Sequence, residues 1–308
     1  MIDFGQILIV GSAGQLGLEL QRSFAGAGNL LCYDRAEVDL ADPDQVRSMV
    51  RATAPDLILN AAAYTAVDRA ESEPELAMAI NAVAPSILAE EAALRGKLLV
   101  HYSTDYVFDG SKPSPWVEDD QPHPLNEYGR SKLAGEVAVR ESGAKYLTFR
   151  TSWVYGPHGN NFLLTMLRLG RERKQLSVVD DQMGAPTTSI ALAEATRAIV
   201  EGALTGSFGP SDSWSGLYHM TCAGSTSWCG FAREIFSRAA DLIADTAPEL
   251  IPISSADYVT AAKRPENSML RNEKLNSRFG TELPTWTSAL DRVLEALRAE
   301  TRGMEMNA

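Results

Sequence analysis

Cysteine and histidine are scarce in this chain, and basic residues fall short of acidic ones. Its 308 residues hold three cysteines and four histidines, and 28 Lys+Arg against 40 Asp+Glu give a formal charge of −12. The cysteines (Cys32, Cys222, Cys229) form no CxxC and leave an odd one over, which argues against a disulfide scaffold. The histidines (His101, His123, His158, His219) lie too far apart for a zinc site of the usual local spacing, while Mg2+ stays open. An acidic chain lacks the basic face that nucleic acid or an anionic membrane requires, although a site can still be positive locally. No apolar run approaches the roughly 18 residues that span a bilayer. Asp3 stands where a secretion signal would carry positive charge. What is present is ordinary globular composition, 45% hydrophobic and 22% charged, which argues against wholesale disorder. The length suits about two domains. These bounds describe a soluble cytoplasmic protein, with an enzyme as the natural class.

Short β-branched or Leu-rich runs alternate with longer amphipathic stretches in the N-terminal half. Ile7–Val10, Leu30–Tyr33, Leu57–Leu59, Leu98–Val100 and Tyr146–Phe149 each fit a strand buried on both faces. Between them, helices are expected over Gln15–Ala25, Pro43–Thr53, Pro74–Arg95 and Asn126–Glu141, with Pro43 and Pro74 in first turns where a missing N–H costs nothing. Strand and helix repeated at this spacing predict an α/β fold with a doubly wound, Rossmann-like parallel sheet. Past about residue 175 the rhythm changes. Two more strands, Leu176–Val179 and Leu217–Met220, suit a return to that sheet, and helices are expected at Cys229–Ala244 and Thr287–Arg298. The chain thus divides into a dinucleotide-binding domain over 1–175 and a smaller C-terminal α/β substrate domain over 180–308.

Ligands of such sheets bind outside the carboxyl ends of the strands. Directly after the first run comes Gly11-Ser12-Ala13-Gly14-Gln15-Leu16-Gly17, then a helix. Gly11, Gly14 and Gly17 allow a tight turn, a close backbone approach to a pyrophosphate and close helix packing, although glycines alone also suit a turn with no ligand. Asp34 ends the second run 23 residues after Gly11, about where a carboxylate holds an adenosine ribose, while Arg35 could instead neutralise a 2′-phosphate. NADH and NADPH both remain open. After the third run, Asn60-Ala61-Ala62-Ala63-Tyr64 offers small residues where backbone can pass close to a dinucleotide or simply pack tightly.

Tyr128 and Lys132 are spaced i, i+4 and share one helix face. A free phenol has a pKa near 10, and moving it to about 7 takes about 4 kcal/mol. One positive charge about 4 Å away, at an effective dielectric near 20, supplies about that much. Lys132 is therefore expected to make Tyr128 a better acid for a reduction. The fourth run leads into Ser103-Thr104-Asp105-Tyr106, which brings a hydroxyl to the carboxyl end of a central strand, either for a reacting oxygen or for its own backbone.

These residues resemble the extended short-chain dehydrogenase/reductase superfamily and, within it, the dTDP-4-dehydrorhamnose reductase family. The likeness runs through GSAGQLG, NAAAYTAVDRAESEPE, HYSTDYVFDG, PLNEYGRSKLAGE, FRTSWVYG, GNNF, DQMGAPT, GLYH and RPENS. It implies NAD(P)H-dependent reduction of the C4 ketone of dTDP-4-dehydro-6-deoxy-L-mannose to dTDP-L-rhamnose, for bacterial cell-surface polysaccharide. By the same resemblance Tyr128 is the proton donor, Lys132 its partner and a ribose ligand, and Thr104 the third member of the group. Gly14, Gln15, Leu16, Asp34, Asp39, Leu40, Ala63, Tyr64 and Thr65 match cofactor-contacting positions. Asp105 and Trp153 match the sugar side, and Arg264 in RPENS is assigned to the nucleotide-sugar phosphates. The family often has His where Tyr64 stands. Some members dimerise through Mg2+ held by glutamates; Glu19 matches one such position, but Ile190 falls near where a second carboxylate is wanted, so neither metal nor dimer is carried over and a monomer or homodimer is expected. Dehydratases of the superfamily show Thr-Asp-Glu where this chain has Thr104-Asp105-Tyr106. Epimerases and regulatory subunits of the same fold are the alternatives, the latter disfavoured because Thr104, Tyr128 and Lys132 are all in place.

Overall fold

A computed structural model describes residues 3–243 and 246–305. Six parallel strands form the central sheet. Five are the expected ones, β1 (Gln6–Val10), β2 (Asn29–Tyr33), β3 (Leu57–Asn60), β4 (Leu98–Thr104) and β5 (Lys145–Thr151), and the sixth is Gly216–His219. In space they run β2, β1, β3, β4, β5, Gly216–His219. Order reverses between β1 and β3, and that switch point opens a crevice at the carboxyl ends of the strands. Alternation places each strand in two cores at once. Ile7 and Ile9 face one apolar cluster with Leu57, Leu59 and Val100, whereas Leu8 and Val10 face the other with Ile58 and Leu99.

Helices cover both faces. On one side α1 (Gln15–Phe24) packs beside the helix Ser189–Leu204; on the other, α2 (Pro43–Thr53) packs against Ala84–Arg95. Asp42 starts α2 by accepting the Asp44 and Gln45 N–H groups, with Pro43 in the first turn. The stretch expected as one helix over Pro74–Arg95 is three segments: Pro74–Met78, a π-helical turn at Ala79–Val83, and Ala84–Arg95. Pro85 explains the widened turn, because it has no N–H to give and its ring crowds the carbonyl four residues back, at Asn81. The stretch is long and apolar enough to cross a membrane by composition, yet more than half of its apolar length is buried within this fold.

The smaller lobe is built from paired short strands. Gln175–Val179 runs parallel to Glu249–Ile253, Met183–Gly184 antiparallel to Thr226–Ser227, and Val154–Tyr155 parallel to Thr187–Thr188. This corrects part of the expected division. Of the two strands expected to return to the main sheet, Gly216–His219 does so beside β5, and Gln175–Val179 does not. Its partner strand Glu249–Ile253, with Pro252 next to its end, carried no strand expectation. Ser189–Leu204 also belongs with the main sheet by packing, so one cut at 175–180 does not separate the lobes. The helix expected over Cys229–Ala244 spans Trp228–Arg238, and Ala244 lies outside the described residues. The helix expected over Thr287–Arg298 runs from Trp286 to Glu305.

Candidate active site

The turn after β1 is shaped by what glycine leaves out. Gly11 has φ +81°, and a Cβ there would lie 2.7 Å from the backbone of Ala62 after β3. At Gly17 a Cβ would meet the Gly11 carbonyl oxygen at 2.1 Å, so α1 can sit directly on the turn only without a side chain. Gly14 precedes α1 with no side-chain cap, and no acidic residue stands in the first turn. Ala13 and Gly14 are exposed. The result is an uncapped, positively polarised helix end above bare backbone, which fits a pyrophosphate. Leu16 is buried beneath it, and Gln15 is held from the second lobe by the Asn161 side chain, 2.9 Å. Asp34 closes β2 with one carboxylate oxygen on the Ala36 N–H, and Asp39 does the same with the Ala41 N–H. Arg35 is exposed beside them and Leu40 is half-buried against the α2 side of the core.

Beyond β3 the chain passes Ala62, Ala63, Tyr64 and Thr65. Tyr64 is buried; its hydroxyl donates to Glu73 and its N–H to the Asn81 amide oxygen, 2.8 Å. Its phenol is therefore spent on the protein, and Ala63 and Thr65 present the accessible atoms of this stretch. The Asn81 amide nitrogen also donates to the Tyr64 carbonyl and to the Ser131 hydroxyl, at 3.1 and 3.0 Å. Asn81 thereby couples the loop after β3 to the helix Glu127–Glu141 that carries Tyr128. The sequence held one signal for it: a proline four residues on, in an otherwise helical run.

Thr104 ends β4, and Tyr128 lies within hydrogen-bonding reach of its hydroxyl. Asn126 starts the next helix by accepting the Gly129 N–H at 2.8 Å, and Gly129 fits against the Tyr106 carbonyl, where a Cβ would come to 2.2 Å. These two residues fix where Tyr128 enters. Tyr106 meets Tyr128 edge-on, ring centroids 5.5 Å apart. Burial pushes the Tyr128 phenol up to about 12, the Thr104 hydrogen bond opposes the rise, and the Asp105 charge adds to it. Here the structure corrects the expectation from spacing. Lys132 does not pull the phenol down; its ammonium turns under β4 and donates to the Tyr102 carbonyl at 2.6 Å. Burial lowers Lys132 itself to about 8, with Glu136 opposing. Desolvation outweighs the neighbouring cation.

The residues expected on the sugar side are spread across both lobes. Asp105 is buried, accepts the Thr104 hydroxyl at 2.9 Å through Oδ1, and leaves Oδ2 with no partner. Trp153 follows β5 at φ +48° and stacks face to face on Trp228 with centroids 3.5 Å apart. Arg264 engages Asp68 with its fork at 2.7 and 3.2 Å, so a phosphate there would share or displace that carboxylate. Glu19 pairs with Arg22 at 2.7 Å, and no cluster of three potential metal ligands occurs among the described residues.

Asp105 also makes a stability prediction. Burial holds its pKa near 6 against an ordinary 3.8. The folded state binds this proton more tightly, so its stabilising contribution is complete below pH 3.8 and disappears as pH rises through 6. At pH 7.5 the ionised form then costs about 3 kcal/mol. Asp105→Asn is expected to raise the melting temperature at pH 7.5 and to flatten its pH dependence between 4 and 6. Calorimetry across that range checks it; an unchanged slope would refute the burial argument.

The family model described as RmlD substrate binding domain matches residues 5–299. A dTDP-4-dehydrorhamnose reductase of Burkholderia thailandensis is 48% identical over 296 residues, covering 92% of this chain and 96% of that one. The enzyme of the same name from Escherichia coli K12 is 44% identical over 300 residues, covering 96% and 99%. Among solved structures, the dTDP-4-dehydrorhamnose reductase of Bacillus anthracis in complex with NADP superposes with a TM-score of 0.87 at 37% identity, covering 96% of this chain and 100% of that one.

Proposed function

The chain belongs to the RmlD substrate binding domain family, and from that premise we propose that it is an NAD(P)H-dependent oxidoreductase that reduces the C4 ketone of dTDP-4-dehydro-6-deoxy-L-mannose to dTDP-L-rhamnose. One observation carries the site assignment: a glycine-lined helix end and the Thr104–Tyr128–Lys132 group meet at the carboxyl ends of β1 and β4 in one sheet. When bound, the nicotinamide supplies the hydride that reaches the carbonyl carbon. Gly11, Gly14, Gln15, Leu16 and Gly17 would hold its pyrophosphate, with Asp34, Asp39 and Leu40 towards the adenosine end and Ala62, Ala63 and Thr65 along the middle.

The chain's own part is the proton. A phenol with a pKa near 12 is fully protonated at neutral pH, the form a donor needs at the start of a reduction. Thr104 orients that hydroxyl. The Lys132 ammonium has three donors, of which Tyr102 takes one, leaving the others for ribose hydroxyls. Asp105 offers its free carboxylate oxygen to a sugar hydroxyl, and the Trp153 ring forms an apolar wall on the second lobe. Tyr106 cannot replace the carboxylate that a 4,6-dehydratase uses at this position.

The reading is tested by generating the 4-keto sugar in situ and following loss of reduced-nicotinamide absorbance, with NADPH and NADH in parallel. Stoichiometric oxidation matched by dTDP-L-rhamnose is expected; oxidation of neither cofactor would refute the reading.

A further inference from the structure

Glu136 lies one turn past Lys132 on the helix Glu127–Glu141 and is buried. Its Oε1 accepts the Ser103 hydroxyl and Arg150 Nε at 2.8 Å, and its Oε2 accepts Arg150 Nη2 at 2.6 Å. Ser103 precedes Thr104 on β4, and Arg150 is the penultimate residue of β5. One carboxylate therefore ties the helix bearing Tyr128 and Lys132 to the ends of two adjacent strands, directly behind the site. A buried pair of this kind is weak evidence for stability, since its desolvation cost rivals its attraction. A role in the chemistry accounts for it better.

We propose that Glu136 is a positioning residue for the reduction: through Ser103 and Arg150 it fixes the helix that carries Lys132 against β4 and β5, and it places negative charge near the ammonium in the dry wall behind Thr104. The inference rests on the reading of Lys132 as part of the site. The titratable groups that act on that ammonium are Glu136 one turn later and His101 on β4, while Arg150 on β5 faces Glu136 with Glu118 nearby. His101 is fully buried, hydrogen-bonded to Asn60 and held neutral, first by burial and then by the Lys132 charge. Arg150 is itself engaged by Glu136. Without the Glu136 charge, Arg150 keeps only the more distant Glu118, the Lys132 ammonium loses its nearby negative charge, and Lys132 gives up its proton at lower pH.

The test uses full-length protein carrying 13C at the lysine Cε positions, with the Lys132 resonance assigned by its loss in Lys132→Met. In Glu136→Gln the Lys132 titration midpoint is expected to fall by about one pH unit, and the basic limb of the kcat profile to move with it. Glu136→Asp, which keeps the charge but retracts it by one methylene, is expected to show a smaller shift in the same direction. It serves alone if Glu136→Gln fails to fold. A lower melting temperature with an unmoved Lys132 midpoint would reduce Glu136 to a structural part and overturn the proposal. Wild-type protein that oxidises no cofactor would count against the reductase reading instead, and the NMR titration would still decide the part of Glu136.

Discussion

Tyr128→Phe is expected to lower kcat about a thousandfold while leaving dinucleotide affinity within about twofold. The magnitude follows from the 10²–10⁴ that a positioned general acid contributes. The substitution removes one oxygen and keeps the ring that meets Tyr106 edge-on. The helix is set by Asn126 and Gly129 rather than by the phenol, so the fold does not depend on the hydroxyl. Loss in kcat with unchanged KM for cofactor separates proton donation from binding. Turnover within tenfold of wild type would remove Tyr128 from its role. The high pKa adds a second handle. With a phenol near 12, the basic limb of the profile below pH 10 does not belong to Tyr128, and Lys132, near 8, is the group that titrates there.

Gly17→Ala is expected to weaken nicotinamide dinucleotide binding by at least about tenfold and to destabilise the fold by about 1–3 kcal/mol. The added methyl would sit 2.1 Å from the Gly11 carbonyl oxygen and 2.8 Å from Ser12, both backbone, so no side chain can swing aside. Either α1 lifts away from the turn or the turn flattens, and both moves displace the N–H groups that face the pyrophosphate. Isothermal titration with NADP+ and NAD+, together with a thermal melt, reads the two effects separately. Wild-type affinity in this variant would show that the contact between α1 and the turn does not govern the cradle. By contrast Gly96, with φ +64° and open space around it, should show only backbone strain when replaced by Ala, about 1–2 kcal/mol, with no change in binding.

Much of this was legible in the sequence because the features are local or periodic. The five strands of the first half announced themselves as continuous apolar runs, and Pro43 and Asn126 marked helix starts that the structure places there. The glycine turn was legible because each glycine answers to a contact a few residues or one strand away. Long-range events were not. The phenol's pKa could not be read from i, i+4 spacing, since it depends on how deeply Tyr128 sinks beside Tyr106 and on the carbonyl that captures Lys132. The pairing of Arg264 with Asp68 was not legible either, because nothing in RPENS announces a partner 196 residues earlier. Glu136 lay on the buried face of a recognised helix, but its worth appears only when β4 and β5 bring Ser103 and Arg150 to it. The strand Gln175–Val179 was placed in the wrong sheet for a related reason: its partner Glu249–Ile253 lies far along the chain, and periodicity records elements rather than their company.

The stacked indoles of Trp153 and Trp228 have an optical consequence. Trp153 follows β5 and lies against Gly184, and Trp228 opens a helix of the smaller lobe, so both indoles belong to that lobe. Parallel chromophores at van der Waals distance couple their excited states, giving a near-ultraviolet circular-dichroism band of opposite-signed lobes and suppressed fluorescence. Separation of the two rings would collapse that band and brighten the emission. The smaller lobe thus carries a native reporter of its own packing, with no dye or label to perturb it.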